Sequence, residues 1–175
     1  SIPHGLGAVP HFIMTKPTYA SYNWGVYHRM MNVGVDPEDY GMKLNLSTAQ
    51  DNGNGYWNDT APTSVLVNLG NTDSTNPDGA GVAYCFTGKQ GYSQFGGYTG
   101  NGNVDGTFVY TGFKPAWLML RAASGAGAWA LFDNKRPGYN VVNKQLAANT
   151  TEVEQTSDVL DIVSNGFKTR ATTNM

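Results

Sequence analysis

Glutamate is almost missing from this 175-residue chain: only three occur, and charged residues together make up 14%, against a usual value of about 25%. That shortage excludes a coiled coil, a helical bundle and a charged disordered chain. The net charge of −2 comes without any basic stretch, so the electrostatic footprint of a nucleic-acid binder is lacking. The lone cysteine, Cys85, has no partner for an internal disulfide, and inside GVAYCFTG it reads as a small buried hydrophobe with an inert thiol. No run of 18 apolar residues occurs, and SIPHGLGAVP has neither the basic nor the apolar region of a signal peptide. The expectation is a soluble chain with no membrane insertion and no export signal.

What is abundant belongs to strands and turns. The chain has 22 glycines, 17 Asn, 17 Thr and 10 Tyr. Asn and Gly supply turn conformations, while Thr and Tyr suit a pleated, half-buried surface. About ten short apolar or alternating runs follow one another, among them HFIMT, WGVYHR, KLNLS, TSVLVNL, GVAYCF, GTFVYTGF, AWLMLRA, AWALFDN and VLDIV, with Gly, Asn, Asp or Pro between most of them. This pattern predicts an all-β, two-sheet antiparallel β-sandwich of jelly-roll or concanavalin-like type. Residues 152–163 read as a loop followed by a strand, because Val153, Val159, Ile162 and Val163 are β-branched.

The chain also repeats itself. PHFIMTK begins at Pro10 and PAWLMLR at Pro115, an offset of 105 residues. The same offset carries Gly7 onto Gly112, Trp24 onto Trp129, Val26 onto Leu131, Tyr27 onto Phe132 and His28 onto Asp133. The reading is one domain over residues 1–175, made of a first copy over about 1–88, a bridge over 89–111 and a second copy over 112–175. The first copy closes with GVAYCFTG, and the second stops before an equivalent strand. One terminal strand is therefore expected to be lacking or to be supplied by a neighbouring chain, leaving an edge open to pairing.

The strings PHGLGAVPHFIM, WNDTAPTSVLVNLG, VAYCF, GYSQFGGYTGNGNVDGTFVYTGFKPAWLMLR and SNGFKTR resemble a domain of marine bacteriophage proteins, including those of phages infecting cyanobacteria. In that group the domain lies within tail, fibre or other virion proteins, and its fold is thought to be a concanavalin A-like or laminin G-like sandwich. The resemblance implies a virion location. It does not imply an activity, which has to be argued from sites.

Two loops stand out. In the bridge, Tyr92, Phe95 and Tyr98 come at three-residue spacing among glycines, followed by Asn101, Asn103 and Asp105. Aromatic faces suit the C–H side of a pyranose, and short amides or carboxylates suit its hydroxyls, so these six residues form a candidate carbohydrate site. The alternative is a linker with its aromatics tucked onto the core and its Asn-Gly pairs acting as turns. In DNGNGYWND, Asp51, Asn52, Asn54 and Asp59 offer oxygen ligands for calcium on a flexible loop. The acid expected near the twelfth position of an EF-hand loop is absent, and turn chemistry explains the stretch without a metal.

Catalytic patterns are poor. Asp36, Glu38 and Asp39 share a turn with Pro37; Glu152 and Glu154 lie on a loop; Asp158 and Asp161 have no third acidic neighbour. No serine sits in a G-x-S-x-G context. Trp24, Trp129, Phe12 and Trp117 are read as core, with Lys16 and Arg121 reaching water from equivalent strand ends. The functional expectation is a non-enzymatic virion domain that adheres to a surface or to host polysaccharide. The alternative is a structural or decorating module that contacts other virion proteins or oligomerises. A polysaccharide-cleaving enzyme would need two carboxyl groups about 5–9.5 Å apart in a groove.

Overall fold

The structure, a computed structural model, describes residues 1–53 and 55–172. The chain is nearly all β, its helix confined to the short 3-10 turns Met31–Gly34 and Pro37–Asp39; among the described residues all strand pairs are antiparallel, and the sheets are consistent with the expected β-sandwich. It divides into two compact units. The first comprises Ser1–Gly88 with Phe95–Gly97 and Ala123–Gly125; the second comprises Lys89–Gln94, Tyr98–Ala122 and the chain from Ala126 onward.

In the first unit, β1 (Ile2–Pro3) pairs with β6 (Leu66–Val67). The other five strands form one sheet in the order β5 (Asp51–Asn52), β4 (Tyr40–Lys43), β3 (Gly25–His28), β2 (Phe12–Pro17), β7 (Gly81–Phe86). Strand β2 is central and shows the two-residue period of a sheet, with Ile13, Thr15 and Pro17 buried. Ile13 meets Tyr27, Tyr56, Trp57 and Val67 in the core. The buried Thr15 hydroxyl is satisfied by donating to the Ser74 carbonyl at 2.7 Å. Gly41 is required where Tyr56 packs over β4, since a Cβ there would lie 2.4 Å from the ring.

In the second unit all strands join one sheet in the order β8 (Phe108–Tyr110), β13 (Gly166–Thr169), β12 (Gln155–Val163), β11 (Val142–Ala147), β10 (Ala130–Asp133), β9 (Trp117–Leu120). Leu118, Ala130, Phe132, Val142, Val159, Leu160, Ile162 and Phe167 make its core.

The repeat runs deeper than the matching letters. Phe12 pairs with His28 as Trp117 pairs with Asp133, at the offset of 105. Tyr40 pairs with Asn52 as Lys144 pairs with Thr156, and Gly41 with Asp51 as Gln145 with Gln155, at an offset of 104 (40 to 144, 52 to 156). One residue is lost between the third and fourth strands of the second copy, which hides this half of the repeat from a fixed-offset comparison. Side-chain bonds follow the same shift: the Trp24 N–H donates to Asn45 Oδ1 at 3.0 Å, and the Trp129 N–H to Asn149 Oδ1 at 2.9 Å. The antiparallel pair β1–β6 corresponds to β8–β13. Strand β8 thus lies within the stretch read as a bridge, because the repeat begins before Gly112.

Two side-chain expectations are corrected. Trp117 is not core: it is 57% exposed, whereas its counterpart Phe12 is 8% exposed beneath Phe86 and Phe95. Arg121 does not carry its head out to water but lies over the Trp129 ring at 5.8 Å, and desolvation lowers its pKa.

Candidate functional site

The bridge residues serve two different ends. Phe95 is held in the first unit, stacked on Phe12 at 5.8 Å and 12°, with His11 and Phe86 beside it. Both of its neighbours in the aromatic triplet belong to the second unit. Tyr92 is exposed in a turn closed by its own N–H donating to the Lys89 carbonyl. Tyr98 meets Phe167 edge-on at 6.0 Å, and burial raises its phenol pKa.

The polar residues build a rigid approach to β8. The Asn103 N–H donates to Asn101 Oδ1 at 3.1 Å, and the Asp105 N–H to Asn103 Oδ1 at 2.8 Å, giving two successive Asx turns. Asn101 Nδ2 closes the loop on the Asp105 carbonyl at 2.9 Å. These turns present the Asp105 carboxylate to Lys168, whose ammonium donates to Oδ1 and holds the carboxyl below its usual range. Gly106 then lets the chain pass against Thr169, where a Cβ would lie 2.2 Å from Oγ1.

Beyond Gly106, β8 places Phe108 and Tyr110 on one face, 48% and 68% exposed, while Val109 turns inward onto the core. Phe108 lies opposite Lys168, and Tyr110 opposite Gly166, which has no side chain to stand beside the ring. The result is two exposed aromatic side chains flanked by an ion pair, a surface with apolar faces and hydrogen-bonding groups together. Phe108 and Tyr110 were absent from the sequence-derived candidates, although the alternation of GTFVYTG marks one outward face.

The calcium candidates do not come together as a group. Asp51 Oδ2 accepts the Tyr56 hydroxyl at 3.2 Å, and Asn52 lies beside Asp51 on β5. Asn54 lies outside the described residues. Asp59, with Asn58 in left-handed backbone, lines a polar cleft of about 320 Å³ with Leu69, Gly70, Asn71 and Asn76 in the first unit. Among the described residues no three or more His, Cys, Asp or Glu side chains cluster as a metal site would need.

Three further acids, Asp133, Glu154 and Asp161, are engaged in structure. Asp133 accepts the backbone N–H groups of Lys135 and Arg136 and the Arg136 guanidinium at 2.6 Å, which together depress its pKa to about 2. Arg136 also reaches Glu154 at 3.0 Å and the Leu131 carbonyl at 3.1 Å. Asp161 is buried against Arg170, whose Nε donates to it at 2.8 Å. The side chain of Asp158 is not among those described.

Fold and site together define an antiparallel β-protein of two related units with an aromatic, charge-flanked surface strand. The chain belongs to a family described as a domain of unknown function, DUF7483, whose match spans residues 1–175. Neither a search of curated proteins nor a search of solved structures produced a match.

Proposed function

We propose that this domain is a non-enzymatic adhesion module that takes a saccharide chain on the face of β8. The observation that carries the reading is the exposure of Phe108 and Tyr110 on one face beside the Asp105–Lys168 pair. Two aromatic side chains two positions apart on a strand lie roughly 7 Å apart, a separation that suits successive apolar faces of a sugar polymer. The carboxylate and ammonium beside them supply an acceptor and donors for hydroxyls. The resemblance to phage virion domains supplies the setting, with host-surface polysaccharide as the partner. Neither calcium nor bond cleavage enters this reading.

Co-sedimentation with insoluble bacterial polysaccharides, read together with an assay for new reducing ends, tests it. The expected result is binding without cleavage that survives EDTA and falls about tenfold or more in Phe108→Ala and Tyr110→Ala. Release of reducing ends, or retention undiminished in both variants, would overturn it.

A further inference from the structure

The first unit completes its five-stranded sheet with β7, which lies against β2 over its whole length in the register Phe12 to Phe86, Met14 to Tyr84 and Lys16 to Val82. Strand β9 is the counterpart of β2, and among the described residues it pairs with β10 alone. We infer that the outer edge of β9 is a strand-accepting site, and that its occupant is an extended segment of a partner polypeptide with the apolar and aromatic alternation of β7, added antiparallel.

The backbone of this edge is oriented for the purpose. The Asn134 N–H donates to the Ala116 carbonyl at 3.0 Å, continuing the β9–β10 register. In an antiparallel ladder the N–H and C=O of one residue point to the same side, and sides alternate along the strand. Leu118 and Leu120 therefore face β10, and the backbone groups of Trp117 and Met119 face outward. The first unit has the same phase. The Thr18 N–H donates to the Ala80 carbonyl on the β7 side, which in the β2–β7 register turns the backbone groups of Met14 and Lys16 to β7 as well. Met14, the counterpart of Met119, thus exchanges its ladder bonds with Tyr84.

The side chains agree with the backbone. Phe86 of β7 covers Phe12 with ring centroids 6.0 Å apart, and Tyr84 stacks on Trp24 at 6.3 Å. At the second site Trp117 is left mostly exposed. Residues 117–120 read WLML, without the proline or charge that blunts natural sheet edges. A strand in the register of β7 would place an aromatic residue opposite Trp117 and another opposite Met119. Strand addition of this kind draws affinity from main-chain bonds and selectivity from alternate side chains. The inference stands apart from saccharide binding, which uses the opposite edge of the same sheet.

The probe is a fluorescein-labelled peptide of residues 80–88, kept reduced and titrated with the full chain by anisotropy. Saturable binding is expected. N-methylation of the peptide at Tyr84, which removes an amide facing the edge, is expected to weaken it about tenfold or more, while N-methylation at Cys85, whose amide faces away, leaves it within about twofold. Met119→Pro removes an outward N–H at a position where an edge strand tolerates proline, and it is expected to abolish binding with the circular dichroism spectrum retained. Trp117→Ala is expected to weaken binding severalfold. Absence of binding, equal effects of the two methylations, or binding unchanged in Trp117→Ala would overturn the inference. So would self-association of the chain that Met119→Pro abolishes, because the occupant would then be a second copy.

Discussion

Strands β1–β6 of the first half have counterparts in β8–β13 of the second and share four pairings with them, yet the two halves make different sheets. In the first, β5 is two residues long and residues 53–65 separate it from β6, so the β1–β6 pair stands apart from the five-stranded sheet. In the second, β12 runs for nine residues and turns into β13 through Ser164 and Asn165, so six strands join. The longer loop is not idle: it delivers Tyr56 and Trp57 to the first core, and Trp57 is almost wholly buried with its indole N–H on the Tyr40 carbonyl at 3.0 Å. Four strand pairings therefore follow the repeat, while the fifth, and with it sheet continuity, is decided by one connection. A two-residue hairpin forces its strands together, and a loop long enough to carry its own aromatics does not.

The comparison is broken most strongly at Phe12 and Trp117. The same strand position is buried in one copy and open in the other, so the smaller side chain carries the larger stability. Phe12→Ala is expected to cost about 3–4 kcal/mol in urea unfolding, and Trp117→Ala less than about 1 kcal/mol. Equal losses would mean that Trp117 is covered in solution.

His28 and Asp133 sharpen it next. Each side chain accepts a backbone N–H from the turn that follows it: His28 Nδ1 from Met30 at 3.1 Å, Asp133 Oδ1 from Lys135 at 2.8 Å. Their titrations differ. Burial first, and then Arg29 and His11, lower the His28 pKa from 6.5 to about 4. Between these values the unfolded chain binds a proton that the folded chain refuses, so stability falls as pH drops from 6.5 toward 4. The loss attributable to His28 is about 2–3 kcal/mol across that window, and His28→Asn, which keeps an acceptor, is expected to flatten it. Asp133, depressed to about 2, is ionised through the whole of that range. Its contribution is present above the ordinary aspartate pKa and disappears as pH falls through about 2. Unfolding midpoints measured from pH 7 to pH 2 separate the two windows.

The class of fold was legible because composition and two-residue alternation are local properties. The repeat was legible over the first strand pair, where Trp24 and Trp129 and the two Pro-led strands keep one offset. It was lost afterwards, because one deleted residue shifts the register while Tyr40 and Lys144, or Asn52 and Thr156, share no chemistry that a reader would match. Trp117 was misjudged because the exposure of an edge position depends on a strand distant in sequence. Asn101, Asn103 and Asp105 look like ligand groups in sequence, and only coordinates show that two of the three spend their side-chain oxygens on Asx turns. Phe108 and Tyr110 were within reach of sequence reasoning, since Val109 between them takes the inward face.

The equivalence of β2 and β9, one edge closed and the other open, is tested most directly by amide hydrogen exchange of the isolated chain at two methionines. The account predicts that the Met14 N–H, held in the β2–β7 ladder, exchanges about a hundredfold or more slowly than the Met119 N–H, which faces outward from β9. Equal protection at the two positions would show that the outer edge of β9 is already paired and would contradict the account.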